Sequence, residues 1–200
     1  MRTKIIFFPG FPVFATSLGL FLDKLREERF LVQAKGYNQR IKPASNEKYV
    51  LMGYSAGAVG ALSFAKGHSK NVDKIILIDP AGFPPPRNFL SHVWNFRKES
   101  RRLPASIKME LKAELGRDSM GKKWKSVRQI ISFDLIKEIE EAYLDKEEIY
   151  IVKSIWDLMF SSGRNFQLPN DLNLIKIAGN GHFGLIKNYR RYKEAINDIF

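Results

Sequence analysis

The sequence predicts an α/β fold: a mostly parallel sheet of about six strands flanked by helices, with a helical cap inserted between the fourth and fifth strands. Three observations predict it. Short apolar runs alternate with segments of helical period over most of the 200 residues, the pattern of strands buried on both faces. One long segment, Phe83 to Glu147, contains no convincing strand. A glycine-flanked turn, "GYSAG" at 53–57, joins an apolar strand to a small-residue helix.

The elements follow in order. Ile5–Phe8 is a four-residue apolar run and the first strand. Thr16–Glu28 has helical spacing through Leu18, Phe21, Leu22 and Leu25. Phe30–Ala34 is the second strand. Gly36–Glu47 is polar, carries the turn residues Gly36, Pro43 and Asn46, and reads as loop. Lys48–Met52 is the third strand, Ala56–Lys66 a helix ended by Gly67, and Lys74–Ile78 the fourth strand. Pro84-Pro85-Pro86 gives a stiff exit from the sheet. Helical stretches then span Asn88–Arg102, Ala105–Leu115, Gly121–Phe133 and Asp134–Leu144. Glu148–Val152 and Leu174–Ile177 are the fifth and sixth strands. Lys187–Phe200 is a final helix with Tyr189, Tyr192, Ile196 and Ile199 on one face. The division expected is a core of 1–82 and 148–200 and a cap of 83–147.

Composition narrows the chemistry. There is no cysteine, which excludes disulfides, thiolate metal sites and a cysteine nucleophile, and suits a reducing, cytoplasmic location. The only histidines are His68, His92 and His182. The net charge is +12, which bears on partners rather than on fold. It is unevenly spread. Residues 87–128 hold twelve Lys/Arg against four acids, a net +8, and residues 129–148 two against seven, a net −5. The opening "MRTKIIFFPGFPVF" has the basic-then-apolar order of a leader peptide. Pro9-Gly10-Phe11-Pro12 breaks that run after four residues, so it reads instead as the first strand and its turn. No apolar stretch nears the ~20 residues of a spanning helix.

Three motifs share the plan strand, glycine turn, helix. A dinucleotide fingerprint needs G-x-G-x-x-G, and the first two glycines here are four apart. A P-loop needs lysine after its second glycine, where Ala58 stands. G-x-S-x-G fits without mismatch, and it places a serine on a strained strand-to-helix turn. Gly53 and Gly57 let neighbouring backbone pass close to Ser55. A serine hydroxyl needs a base, and the base needs an orienting carboxylate. His182, in a glycine-rich loop after the last strand, is the base by position. His68 lies ~18 Å away along the helix that starts beside Ser55, and His92 lies in the cap. For the acid, Asp157 follows the fifth strand, and Asp79, ending "IILID", is the runner-up. Two backbone N–H groups must meet the developing oxyanion. Ala56, after the serine, supplies one, and Phe11 in "FPGFP" the other, since Pro9 and Pro12 have no N–H.

With "FPGFP", "GYSAG", a helical segment after "LIDPAGF", Asp157, and His182 in "GNGHF", the chain resembles the α/β-hydrolase superfamily over nearly its whole length, as a small member lacking the first two strands. The order Ser, Asp, His is that of the family. Where the family often has His-Gly, this chain has Pro9-Gly10. The resemblance implies a serine esterase or lipase-like hydrolase with Ser55 as nucleophile and the cap forming the acyl pocket. It implies no cofactor and no metal.

A small-molecule acyl substrate is therefore expected, with an anionic lipid or membrane surface as a further partner through the basic cap. A thioester on a phosphate-bearing carrier, with hydrolysis or acyl transfer, fits the charge equally well. A non-catalytic binding protein of the same fold is the rival reading. Nucleic acid is not expected, because no recognised motif accompanies the charge. Trp94, Phe96 and Trp124 are cap aromatics, each more readily core than ligand contact. Oligomeric state is left open, although an uncovered sheet edge invites pairing.

Overall fold

The computed structural model describes residues 3–10, 15–28, 30–34, 42–44, 46–83, 89–117, 119–141, 148–159, 172–178 and 181–200. Six strands, β1 (Lys4–Phe8), β2 (Leu31–Ala34), β3 (Tyr49–Tyr54), β4 (Val72–Ile78), β5 (Ile149–Ser154) and β6 (Asn173–Ile177), form one sheet in the order β2-β1-β3-β4-β5-β6. Every pairing is parallel. The strands carrying continuous Ile, Val, Leu and Phe runs lie in the middle, where both faces are covered. Edge strand β6 is mostly half-buried.

Helices cover both faces. On one, α2 (Gly57–His68) packs with residues of the β4–β5 segment into a core of Ile6, Phe8, Leu51, Ile75, Leu77, Ile151, Phe133 and Leu135. On the other, α1 (Ala15–Glu27) and the last helices pack on Ile5, Phe7, Val50, Met52, Ile76 and Ile78. Each such side chain removed from water contributes about 1.5–3 kcal/mol. Successive residues of β1, β3 and β4 alternate between the two cores, as the two-residue period of a strand requires.

Between β4 and β5 lie α3 (Phe89–Arg101), α4 (Ala105–Arg117), α5 (Met120–Ser132) and α6 (Leu135–Glu141). Leu103 and Leu111 from this segment meet Phe183 in a third, smaller core, with Phe96, Ile107 and Leu115 packed against it. Trp94 and Trp124 are not cap core: they are 65% and 46% exposed. Trp124 instead lies under the Arg128 guanidinium at 5.5 Å, a contact that tolerates water on its far side.

Most element ends shift by one or two residues from those the sequence predicts, and two differences have a clear physical cause. Gly67 does not end α2, which runs to His68 and turns into a short 3₁₀ segment, Ser69–Asn71. A glycine stops a helix by taking a left-handed conformation, and Gly67 stays helical with open space beside it. The predicted helix Lys187–Phe200 is the shorter α8 (Tyr189–Asn197), and a separate short helix, α7 (Gly184–Lys187), precedes it across Asn188 at φ −146° and ψ 62°. Of the Gly36–Glu47 loop, residues 36–41 and 45 lie outside the described residues, as do 142–144 of the predicted helix Asp134–Leu144.

Candidate active site

β3 ends at Tyr54, and the next residue, Ser55, has φ 53°. A side chain in that left-handed region costs free energy unless the surroundings hold it. Here they do. The Ser55 N–H donates to the Ile78 carbonyl at 2.9 Å, and the Ser55 carbonyl accepts from the N–H groups of Ala58 and Ala81. The turn also needs room. A Cβ on Gly57 would lie 1.9 Å from the Phe8 carbonyl oxygen, and one on Gly53 would lie 2.8 Å from the Ala58 Cα. Without side chains at both, β1, β3 and α2 converge beneath the serine.

His182 follows Gly181, just before α7. Its Nε2 is 2.8 Å from the Ser55 Oγ, and its Nδ1 is 3.1 Å from the Asp157 Oδ2. With the proton on Nδ1, the ring donates to Asp157 and accepts from the serine hydroxyl. All three residues are buried. The Tyr54 hydroxyl donates to the His182 carbonyl at 2.9 Å, and its ring stacks on the imidazole. These contacts fix the ring in the plane that the serine needs.

Asp157 is held from two sides. Its Oδ1 accepts the Met159 N–H at 2.8 Å, and the Lys153 ammonium bonds to Oδ2. Burial alone would raise this carboxyl. Lys153 and His182 outweigh burial and hold it below the usual carboxylate range. Asp79, the other sequence candidate, lies elsewhere. Its Oδ1 accepts the Ser154 N–H at 2.6 Å and its Oδ2 the Tyr192 hydroxyl at 2.7 Å. It therefore ties β4 to β5 and α8. Burial, aided by the Asp157 charge, pushes it up to about 6.

Ala56 is buried and stands between Ser55 and the first turn of α2. Phe11 lies outside the described residues. Gly10, next to it, packs so closely that a Cβ there would be 2.9 Å from the Ser55 Cβ. His68 is at the far end of α2. His92 is buried on α3, close enough to feel His182 and Asp157, with burial and then His182 lowering its pKa.

Sequence reasoning passed over four neighbours: Lys153, Tyr54, Tyr192 and Glu99. Lys153 stands four residues before Asp157, a spacing that a strand followed by a turn folds back on itself. Glu99 is 0% exposed on a helix rich in surface cations, with its Oε1 3.4 Å from the Leu158 N–H. Its one legible signal is register: His92, Phe96, Glu99 and Leu103 form an i, i+4, i+7, i+11 stripe, the buried face of a helix. Among the described residues, no group of three or more His, Cys, Asp and Glu is arranged to hold a metal ion. No helix among them is long and apolar enough to cross a membrane.

No protein-family model matches the chain, and no curated protein matches it significantly. Solved structures do match in shape. A membrane phospholipase A, described as a bacterial virulence factor, superposes with a TM-score of 0.71 at 15% identity, covering 99% of this chain and 78% of that one. An esterase from Exiguobacterium antarcticum gives 0.70 at 14% identity, over 98% and 91%. An N-acyl homoserine lactone degrading enzyme gives 0.68 at 15% identity, over 100% and 94%.

Proposed function

We propose that this chain, which has the α/β-hydrolase fold, is a serine hydrolase that cleaves carboxylic esters through an acyl-enzyme. The observation that carries the reading is the contact series Ser55 Oγ, His182 Nε2, His182 Nδ1, Asp157 Oδ2, at 2.8 and 3.1 Å. A binding protein of the same fold has no need for a strained serine aligned with a buried imidazole and carboxylate.

In this reading Ser55 Oγ attacks the ester carbonyl carbon while His182 Nε2 takes the hydroxyl proton. The carbonyl oxygen becomes an oxyanion, met by the N–H groups of Ala56 and Phe11. Collapse of the intermediate breaks the bond to the alcohol, which leaves with the proton from His182. Water then attacks the acyl carbon, with His182 again as base, and releases the acid and Ser55. Asp157 keeps the Nδ1 proton in place and balances the imidazolium. Lys153 keeps Asp157 ionised for that task.

Residues 83–147 are the cap that selects the acyl group. The net +8 over residues 87–128 favours a substrate with an anionic group, whether a charged head group or a phosphate-bearing carrier.

The test is labelling by a fluorophosphonate probe. The wild type is expected to label and Ser55→Ala not to label. Turnover of a simple ester should fall on the order of 10⁶-fold in the variant. A folded wild type that takes no label rules out the serine hydrolase.

A further inference from the structure

Like Asp79, Glu99 is a fully buried acid that this mechanism leaves idle. It stands on the stripe of α3 where apolar residues belong and is fully buried. Its Oε2 has no hydrogen-bond partner among the described residues. Burying a carboxylate oxygen without a donor costs free energy, so a chain selected for stability alone would have an apolar residue there.

Its position is specific. Oε1 takes the N–H of Leu158, the residue after Asp157. The carboxylate also presses on Gly181, the residue before His182: a Cβ on Gly181 would lie 2.6 Å from Oε2 and 2.8 Å from Oε1. Gly181 also has φ 65°, the left-handed region that favours glycine. Glu99 thus touches both loops that deliver the acid and the base. Its charge is felt at the Tyr54 phenol, which bonds to the His182 carbonyl. Lys187 also lies within its field, only partly buried and with Arg102 nearby.

Resting on the serine hydrolase reading, we propose that Glu99 is a positioning residue: its buried negative charge, held against the Gly181 and Leu158 backbone, stabilises His182 as it becomes the imidazolium. At rest the charge is under-compensated. When His182 takes the Ser55 proton, the cation forms beside Asp157, with the Glu99 carboxylate against the backbone of the preceding residue, Gly181. An interaction that strengthens only in the transition state raises the rate of the bond-making step and leaves binding unchanged.

The test is the kinetics of Ser55 phosphonylation by the same probe, which needs no knowledge of the natural substrate. In that step Ser55 Oγ bonds to phosphorus, fluoride leaves, and His182 takes the proton. Glu99→Gln keeps the volume and the acceptor for the Leu158 N–H but removes the charge. The maximal rate is expected to fall roughly tenfold with half-saturation unchanged. Tm is expected to stay within about 2 °C or rise. Glu99→Asp keeps the charge and loses a methylene, so it should react faster than the Gln variant. A pure packing role predicts the reverse order, and that order overturns the inference. So does an unchanged rate in Glu99→Gln, a rise in half-saturation alone, or a Tm loss that parallels the rate loss. A wild type that never labels overturns the hydrolase reading and this inference together. A wild type and Glu99→Gln that label equally fast overturn this inference alone.

Discussion

Asp79 and Asp157 lie under neighbouring strand ends, yet their surroundings push them in opposite directions. Asp157 has the Lys153 ammonium and the imidazole, whereas the hydrogen bonds to Asp79 come from neutral donors, the Ser154 N–H and the Tyr192 hydroxyl. Two asparagine variants separate them. Asp157→Asn should cost about 10⁴ in turnover, because the imidazole tautomer is no longer fixed. Asp79→Asn retains an acceptor and should change turnover little. Its effect is on stability. The Asp79 carboxyl is raised from 3.8 to about 6 in the folded protein, so the folded state favours the protonated form. Stability from this group is therefore full below about pH 3.8, is lost as pH rises from there to about 6, and is lowest above that. Asp79→Asn should gain on the order of 2–3 kcal/mol at pH 7 and almost nothing at pH 3, read by urea unfolding at both. If the gain is equal at both, the carboxyl is not the cause. The serine turn and the histidine loop are legible in sequence because glycines mark both. The choice between the two aspartates rests on where β5 ends, and a strand end moves by two residues on side-chain contacts that no local pattern encodes. The parts played by Lys153, Tyr54 and Glu99 are hidden for the same reason: each acts on a residue that only the fold brings near.

α2 shows the same limit at the scale of an element. Its glycines look alike in sequence and do different things. Gly57 lets the helix start against β1, and Gly57→Ala drives a Cβ into the Phe8 carbonyl. That variant should lose more than about 3 kcal/mol and most of its soluble yield. Gly67 lies in the last helical turn, and a Cβ added there would meet nothing within 4 Å. Gly67→Ala should raise stability by about 0.5 kcal/mol, and a loss would mean the helix does not continue to His68. Gly10→Ala belongs between them: folding should survive, while labelling of Ser55 slows by an order of magnitude or more, because the new methyl presses on the serine Cβ. Alternation of strands and helices foretells the six parallel strands. It does not foretell the short helix α7, which Asn188 separates from α8 with no proline or glycine at the junction.

Across the whole molecule, two apolar cores hold a parallel sheet rigid, and residues 87–128 carry a local net +8. Rigidity keeps the three site residues aligned, and in the proposed hydrolase the positive charge would bias which substrate arrives. For an anionic ester, kcat/KM should fall severalfold between about 0.02 and 0.5 M salt, while a neutral ester of the same length should barely respond. Equal responses would remove charge as a selector. The sheet carries a further consequence. Ser55 meets His182 across 127 residues of chain, and Asp79 meets Tyr192 across 113. A ribosome working at roughly 5–20 residues per second delivers His182 roughly 6 to 25 s after Ser55. For most of that interval the Ser55 hydroxyl and the Asp79 carboxylate are synthesised ahead of His182 and Tyr192. The contact of Ser55 with His182 can therefore form only after the segment carrying His182 has been made.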